Sequence, residues 1–107
     1  MNMRNAIAVL YTTIGTQKEA EEIAQLAVSH KMAACVNIMP GGRSVYIWDN
    51  KIETNTECYL VFKTTTDRID ELEQFIIKHH PYKVPAILKF NAESSDLFAD
   101  YISKSIV

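Results

Sequence analysis

The feature that most constrains this chain is a β-hairpin longer than a protein of its size can cover. Residues 44–65 have the pattern of two strands, with a turn centred on Asp49-Asn50 or on Asn50-Lys51. The fourteen residues 52–65 of the second arm would span roughly 46 Å as one straight strand. A compact domain of 107 residues has a diameter of only about 33 Å. Part of the hairpin should therefore protrude, and we expect a second copy of the chain to cover its unpaired backbone groups.

Composition limits the classes of protein that this chain fits. Its 107 residues, 48% of them hydrophobic, suit one domain spanning residues 1–107 with a core of its own. The net charge of −2 leaves no basic excess to neutralise phosphates, so we expect no nucleic-acid partner. Residues 1–5 carry one basic residue, and the apolar run 6–11 is short. These features fit neither a signal peptide nor a membrane span, and the expected location is the cytoplasm.

Local patterns outside the hairpin predict three helices and further strands. A Thr16-x-x-Glu19 capping box opens a helix that should end near His30. A second helix is predicted from Thr66-Asp67 until Pro81 stops it. The last helix is predicted to start at the cap 94–96. Strands are predicted at 6–11, 33–38 and 86–90, and the second of these should continue into the hairpin after a kink at 40–42.

The order of these elements, βαββαβ plus a C-terminal helix, predicts an α+β ferredoxin-like sandwich with a long protruding hairpin. Right-handed crossovers would place both main helices on one face of the sheet. The other face would be bare in a single chain, with Val9, Tyr59 and Val61 as candidates for it. A bare, partly apolar face is a second reason to expect self-association.

His79 and His80 are the most metal-like pair in the sequence. Two imidazoles suggest a transition metal, and copper(II) has the highest intrinsic affinity for most nitrogen sites. Adjacent helical residues point about 100° apart, so one ion would need further ligands from another segment or subunit. A structural role, with His79 packing on the helix and His80 capping its carbonyl end, is the interpretation that the residues alone favour.

Four residues are candidates for a ligand-binding cleft: Trp48, Glu57, Lys63 and Tyr82. Lys63 would hold an anion there, and Tyr46 and Tyr59 extend the set of aromatic side chains near the hairpin. Lys63 also fits an ordinary solvated strand end. The aromatic residues also fit subunit-interface anchors, and the interface interpretation is favoured for them.

Several motifs in register resemble one known family over nearly the whole chain. They are residues 33–38, 44–48, 51–52, Glu57, 62–65 and 80–85. Together they resemble the CutA divalent-cation tolerance family. The resemblance implies a ferredoxin-like fold, a cytoplasmic homotrimer, and clefts between subunits like those of the PII signalling proteins.

The resemblance also implies a link to tolerance of divalent cations, copper especially. The residues that carry over by motif are Cys35, Tyr46, Trp48, Glu57, Lys63, His80 and Tyr82. Two positions depart from the family pattern. Ala86 stands where members commonly have Glu, and Tyr11 stands where some members proposed to bind copper have Cys. Each departure removes a potential metal ligand.

The function expected from the sequence is a trimeric protein that binds divalent metal ions, with Cu²⁺ as a possible ion and no obligatory cofactor. The alternative is a PII-like regulatory module that binds a small anionic ligand between subunits and reports to a protein partner of unknown identity. An enzyme with Lys63 or His80 as acid or base ranks last, because no nucleophile with a paired base is visible. We therefore expect a protein that is not an enzyme.

Overall fold

The computed structural model describes residues 4–107 and contains one antiparallel sheet of four strands. The strands are β1 (Ala6–Ile14), β2 (Cys35–Trp48), β3 (Lys51–Thr64) and β4 (Ile87–Glu93), in the spatial order β2-β3-β1-β4. The helices are α1 (Gln17–Ser29), α2 (Ile69–His79) and α3 (Asp96–Ser105). This is the predicted α+β sandwich, and the fold class is confirmed. The interpretation of residues 1–5 as neither leader nor anchor falls partly on residues 1–3, which lie outside the described residues.

The hairpin is one continuous pair of fourteen-residue strands, β2 and β3. Trp48 pairs with Lys51, which centres the turn on Asp49 and Asn50 and resolves the two alternatives. Both turn residues have positive φ angles, 51° and 63°, as a tight hairpin turn requires. The molecule measures 45 Å along its longest axis, and residues 45–56 are exposed. The predicted protrusion is therefore confirmed.

The kink predicted at 40–42 is a β-bulge within β2. The pairing register shifts between Met39 and Gly42, and Gly41 has a φ of 78°, a left-handed conformation that glycine adopts without strain. A Cβ atom on Gly42 would lie 2.3 Å from the Tyr59 ring. The bulge therefore needs glycine at both positions, one for conformation and one for space.

The main core lies between the sheet and helices α1 and α2. Leu10, Ile14, Leu60 and Phe62 of the sheet pack there against apolar residues of both helices. Helix α1 begins as predicted, since the Thr16 hydroxyl accepts from the Glu19 N–H at 3.1 Å. Helix α2 begins later than predicted, at Ile69. Residues 65–68 instead close a turn, in which the Arg68 N–H donates to the Thr65 carbonyl at 3.1 Å.

The opposite side of the sheet, called here the open face, is covered at one end only. Helix α3 packs there, with Ile102 and Ile106 against Ile7 and Ala34. Val9, predicted to be bare, lies on this face but is only 6% exposed. That prediction was wrong for Val9, which is buried within the single chain. The β4 part of the face is apolar and exposed, with Leu88 at 60% and Phe90 at 54%.

No helix within residues 4–107 combines the length and the apolar character that crossing a bilayer requires.

Candidate functional site

A cavity of about 620 Å³ lies between the hairpin and the segment that follows α2. Alternation along β3 places Glu53, Asn55 and Glu57 on the open face. On β2, Tyr46 pairs with Glu53 and Ser44 pairs with Asn55. The segment after α2 closes the other side. Aromatic and polar side chains alternate around the cavity, and its lining comprises Tyr11, Thr13, Ser44, Tyr46, Trp48, Glu53, Asn55, Glu57, Tyr82, Lys83, Val84 and Ala86.

Glu57 is the buried charge of this cavity. The residue is only 6% exposed, and its carboxylate accepts a hydrogen bond from the Tyr82 hydroxyl at 2.6 Å. Burial alone would raise the pKa of Glu57, but hydrogen bonds from Ser44, Tyr82 and Thr13, with His80 nearby, lower it below its ordinary value. Glu57 makes no ion pair with any residue in the range 4–107. The cavity wall therefore holds an ionised carboxylate that hydroxyl groups stabilise.

Tyr82 and His80 hold this part of the wall in place. Burial, followed by the hydrogen bond to Glu57, strongly raises the pKa of Tyr82, so its phenol remains a neutral donor. The His80 ring is 8% exposed, and its Nε2 lies 2.7 Å from the Thr13 carbonyl oxygen. Its Nδ1 accepts from the Tyr82 N–H at 3.1 Å. Because a carbonyl only accepts, Nε2 carries a proton, and the ring links β1 to the loop that carries Tyr82.

Three of the four predicted cleft residues meet at this cavity: Trp48, Glu57 and Tyr82. Lys63 lies on the same face of β3 but six positions further along, roughly 20 Å away. Its ammonium group donates to the Asn37 side-chain oxygen and lies 5.7 Å from the centre of the Phe98 ring. Within one chain, Lys63 therefore belongs to the end of the sheet that α3 covers.

The imidazoles of His79 and His80 do not form a joint donor set in this chain. The exposed His79 ring packs on Phe75, with 4.4 Å between ring centres. Both ring nitrogens of His80 already make hydrogen bonds. Across residues 4–107, no three His, Cys, Asp or Glu side chains lie close enough to share an ion. The pair therefore does not fit a chelating copper site, because His80 has no free nitrogen to offer.

Several residues of the site were not recognised from the sequence as functional, among them Thr13, Ser44 and Gly15. The hydroxyls of Thr13 and Ser44 help to lower the pKa of Glu57, and a Cβ atom on Gly15 would lie 3.3 Å from the Tyr82 hydroxyl oxygen. Period-two alternation is the signal that identifies the first two, since each lies on the open face. Gly15 has no such signal, because its importance depends on a side chain 67 positions away.

Comparisons with known proteins agree on one family. The family model described as "CutA1 divalent ion tolerance protein" matches residues 8–105. The divalent-cation tolerance protein CutA of Yersinia pestis is 38% identical over 99 residues, which cover 92% of this chain and 81% of that protein. CutA1 of Ehrlichia chaffeensis superposes with a TM-score of 0.92 at 34% identity, covering 99% of both chains. CutA of Synechococcus elongatus gives 0.93 at 36% identity, covering 99% of this chain and 95% of the other.

Proposed function

This chain belongs to the CutA1 divalent ion tolerance family, and from that premise we propose that it acts in divalent-cation tolerance as a binding protein rather than an enzyme. The proposed protein is a cytoplasmic homotrimer, and its ligand occupies the cavity between the hairpin and the loop after α2. Family membership supports the role in metal tolerance. We propose in addition that the cavity is the ligand site, that the protein is not an enzyme, and that it is a cytoplasmic homotrimer.

The observation that carries this proposal is the buried carboxylate of Glu57. Proteins rarely bury an ionised group without an opposite charge, because desolvation is costly. Here the Tyr82 hydroxyl donates to the carboxylate, and the hydroxyls of Ser44 and Thr13 also help to lower its pKa, at the wall of a cavity of small-molecule size. A strongly supported but unpaired charge in a cleft is a frequent mark of a functional site. The lining offers hydroxyl, amide and carboxylate groups, which suits ligand recognition better than nucleophilic chemistry.

Exposed apolar surface supports the homotrimer. The back of the hairpin tip presents Val45, Ile47 and Ile52, each at least two-thirds exposed, and the open face presents Leu88 and Phe90. Surfaces of this kind mark contacts between proteins. Light scattering should give three times the chain mass of 12.2 kDa. A folded particle with the mass of a single chain would contradict the trimer, and cell fractionation tests the cytoplasmic location.

The experiment for the ligand site is growth in graded copper, zinc or manganese, in cells whose only copy of the protein is a variant. We expect Glu57→Gln and Tyr82→Phe to lower the tolerated concentration. The matched control is Glu22→Gln, which neutralises an exposed carboxylate on α1. Circular dichroism and light scattering confirm that each variant folds and assembles. Full tolerance with Glu57→Gln would remove the cavity from the function.

Direct binding of a divalent cation, with copper(II) at His79, is the second candidate function. His79 is exposed in the last turn of α2, where the helix end favours positive charge. Because the ring of His80 is engaged, a second nitrogen ligand would have to come from another subunit. Calorimetry with copper(II) on the His79→Ala and His80→Ala double variant tests this. Unchanged affinity would exclude the pair, whereas affinity and tolerance lost with His79→Ala alone would favour this function over the cavity, because His79 is not part of the cavity lining.

A further inference from the structure

The charges around the cavity oppose an anionic ligand. Glu53, Glu57 and Lys83 are the charged residues among those that line it, which gives two carboxylates and one ammonium group. Lys83 is exposed, and its long side chain is free to turn towards water. Glu57 is buried and fixed by hydrogen bonds. The charge that a ligand meets inside the cavity is therefore negative.

Aromatic side chains form much of the remaining wall. Tyr11, Tyr46, Trp48 and Tyr82 all line the cavity. Aromatic rings carry negative charge on their faces, so they attract cations and repel anions. Rings and a carboxylate around one cavity are the combination by which proteins recognise organic ammonium ions. The rings also offer apolar contact to a carbon skeleton, which a bare metal ion does not use.

The carboxylate of Glu57 retains room for one more donor. An ionised carboxylate has about four acceptor positions. The Tyr82 hydroxyl occupies one of them, and even with the nearby hydroxyls of Ser44 and Thr13 donating as well, one remains. A bare divalent metal would instead need several ligands converging on one point. The described range 4–107 brings no three acidic, thiol or imidazole side chains together for that purpose. The site is thus better suited to an N–H donor on a carbon chain than to a metal ion.

We propose that the cavity binds a small organic ammonium ion, with the charged nitrogen at Glu57 and the carbon chain against the aromatic rings. The volume of about 620 Å³ lies within the range of small-molecule sites. The inference rests on the cavity being the ligand site of the proposed function. It replaces the anionic ligand expected from the sequence, for which Lys63 would have been the partner.

The test compares three probes of equal chain length and different charge: n-butylammonium, n-butanol and butyrate. Trp48 is the only tryptophan of the chain and lines the cavity, so its fluorescence reports binding there, and calorimetry gives the affinity. On the assembled protein, we expect n-butylammonium to bind about tenfold more tightly than n-butanol. Butyrate should bind most weakly of the three.

Variants assign the discrimination to particular charges. Glu57→Gln should abolish the preference for n-butylammonium over n-butanol, while Glu22→Gln leaves it unchanged. If Glu57→Gln does not fold, Glu53→Gln at the exposed rim should reduce the preference in part. Equal affinity for the cation and the alcohol, tightest binding of butyrate, or no binding of any probe would each overturn the proposal. If the ammonium fails but Glu57→Gln still lowers metal tolerance, the site stands and only the ligand class is wrong.

Discussion

The two sides of strand β3 differ in how their side chains contribute to the protein. On the side covered by α1 and α2, Leu60 and Phe62 are completely buried, and apolar packing is their contribution. On the open face, polar groups of Glu57, Tyr59 and Lys63 each have a specific hydrogen-bond partner. One strand thus provides the core with one side and the candidate site with the other. The helix-covered side therefore requires side chains of the right volume, whereas the open face requires particular polar groups.

The largest expected effect comes from removing a side chain on the packed side of β3, which α1 and α2 cover. Phe62→Ala should lower the free energy of unfolding by about 3–5 kcal/mol, because it leaves a cavity in a filled core. Val61→Ala, one position along on the open face, removes a partly exposed side chain and should cost less than half as much. Urea unfolding of both variants at one protein concentration gives the comparison. Equal losses would show that the open face is also filled, as it would be by a neighbouring subunit.

The open face is tested by removing one hydroxyl group. Tyr82→Phe should cost about 1.5–3 kcal/mol, since it deletes a donor to an ionised carboxylate. The matched control is Tyr101→Phe on α3, whose exposed ring stacks on Phe98, and we expect almost no change there. Thermal and urea unfolding measure both. A loss of the same size at Tyr101 would indicate that the contact with Glu57 contributes nothing special.

The packed side was largely predictable from the sequence, because apolar periodicity states directly which residues share a core. Alternation in the second arm of the hairpin predicts one shared face for Ile52, Thr54, Thr56, Cys58, Leu60 and Phe62, and the last three lie in the core. Local reasoning also predicted the cap at Thr16. It limited the hairpin turn to two positions, of which the structure has Asp49-Asn50. The late start of α2 was missed, because a turn over residues 65–68 uses the same polar residues that open helices.

The site was predictable only where one strand or motif contained it. Trp48, Glu57 and Tyr82 line one cavity, but nothing local indicated that Lys63 would turn to Asn37 and Phe98. The inward orientation of His80 was also missed. Its partner is the backbone carbonyl of Thr13. Every residue offers such a carbonyl, whatever its side chain, so the sequence carries no sign of the contact.

The pH dependence of stability separates the charge of Glu57 from its shape. Its ordinary pKa is 4.5, and the fold lowers it, so the charge stabilises the protein above that pH. This contribution is lost as the pH falls through the lowered pKa of the folded state. Glu57→Gln keeps an acceptor oxygen and should cost less than Tyr82→Phe at neutral pH. The unfolding free energies of the wild-type protein and of Glu57→Gln, measured from pH 7 downward, should converge below the ordinary pKa of Glu57. A difference that stays constant with pH would contradict the role of charge.

The smallest and sharpest test uses two neighbouring threonines on opposite sides of β1. Thr12 is completely buried on the helix-covered side, and its hydroxyl has no hydrogen-bond partner within residues 4–107. Thr13 lines the cavity, and its hydroxyl helps to lower the pKa of Glu57. Thr13→Val should therefore cost about 1–2 kcal/mol, whereas Thr12→Val should stabilise the fold by up to about 1 kcal/mol by removing an unpaired polar group. The same substitution at adjacent positions thus gives opposite signs in urea unfolding. If both valines destabilise, the hydroxyl of Thr12 has a partner, and polar contacts are not confined to the open face.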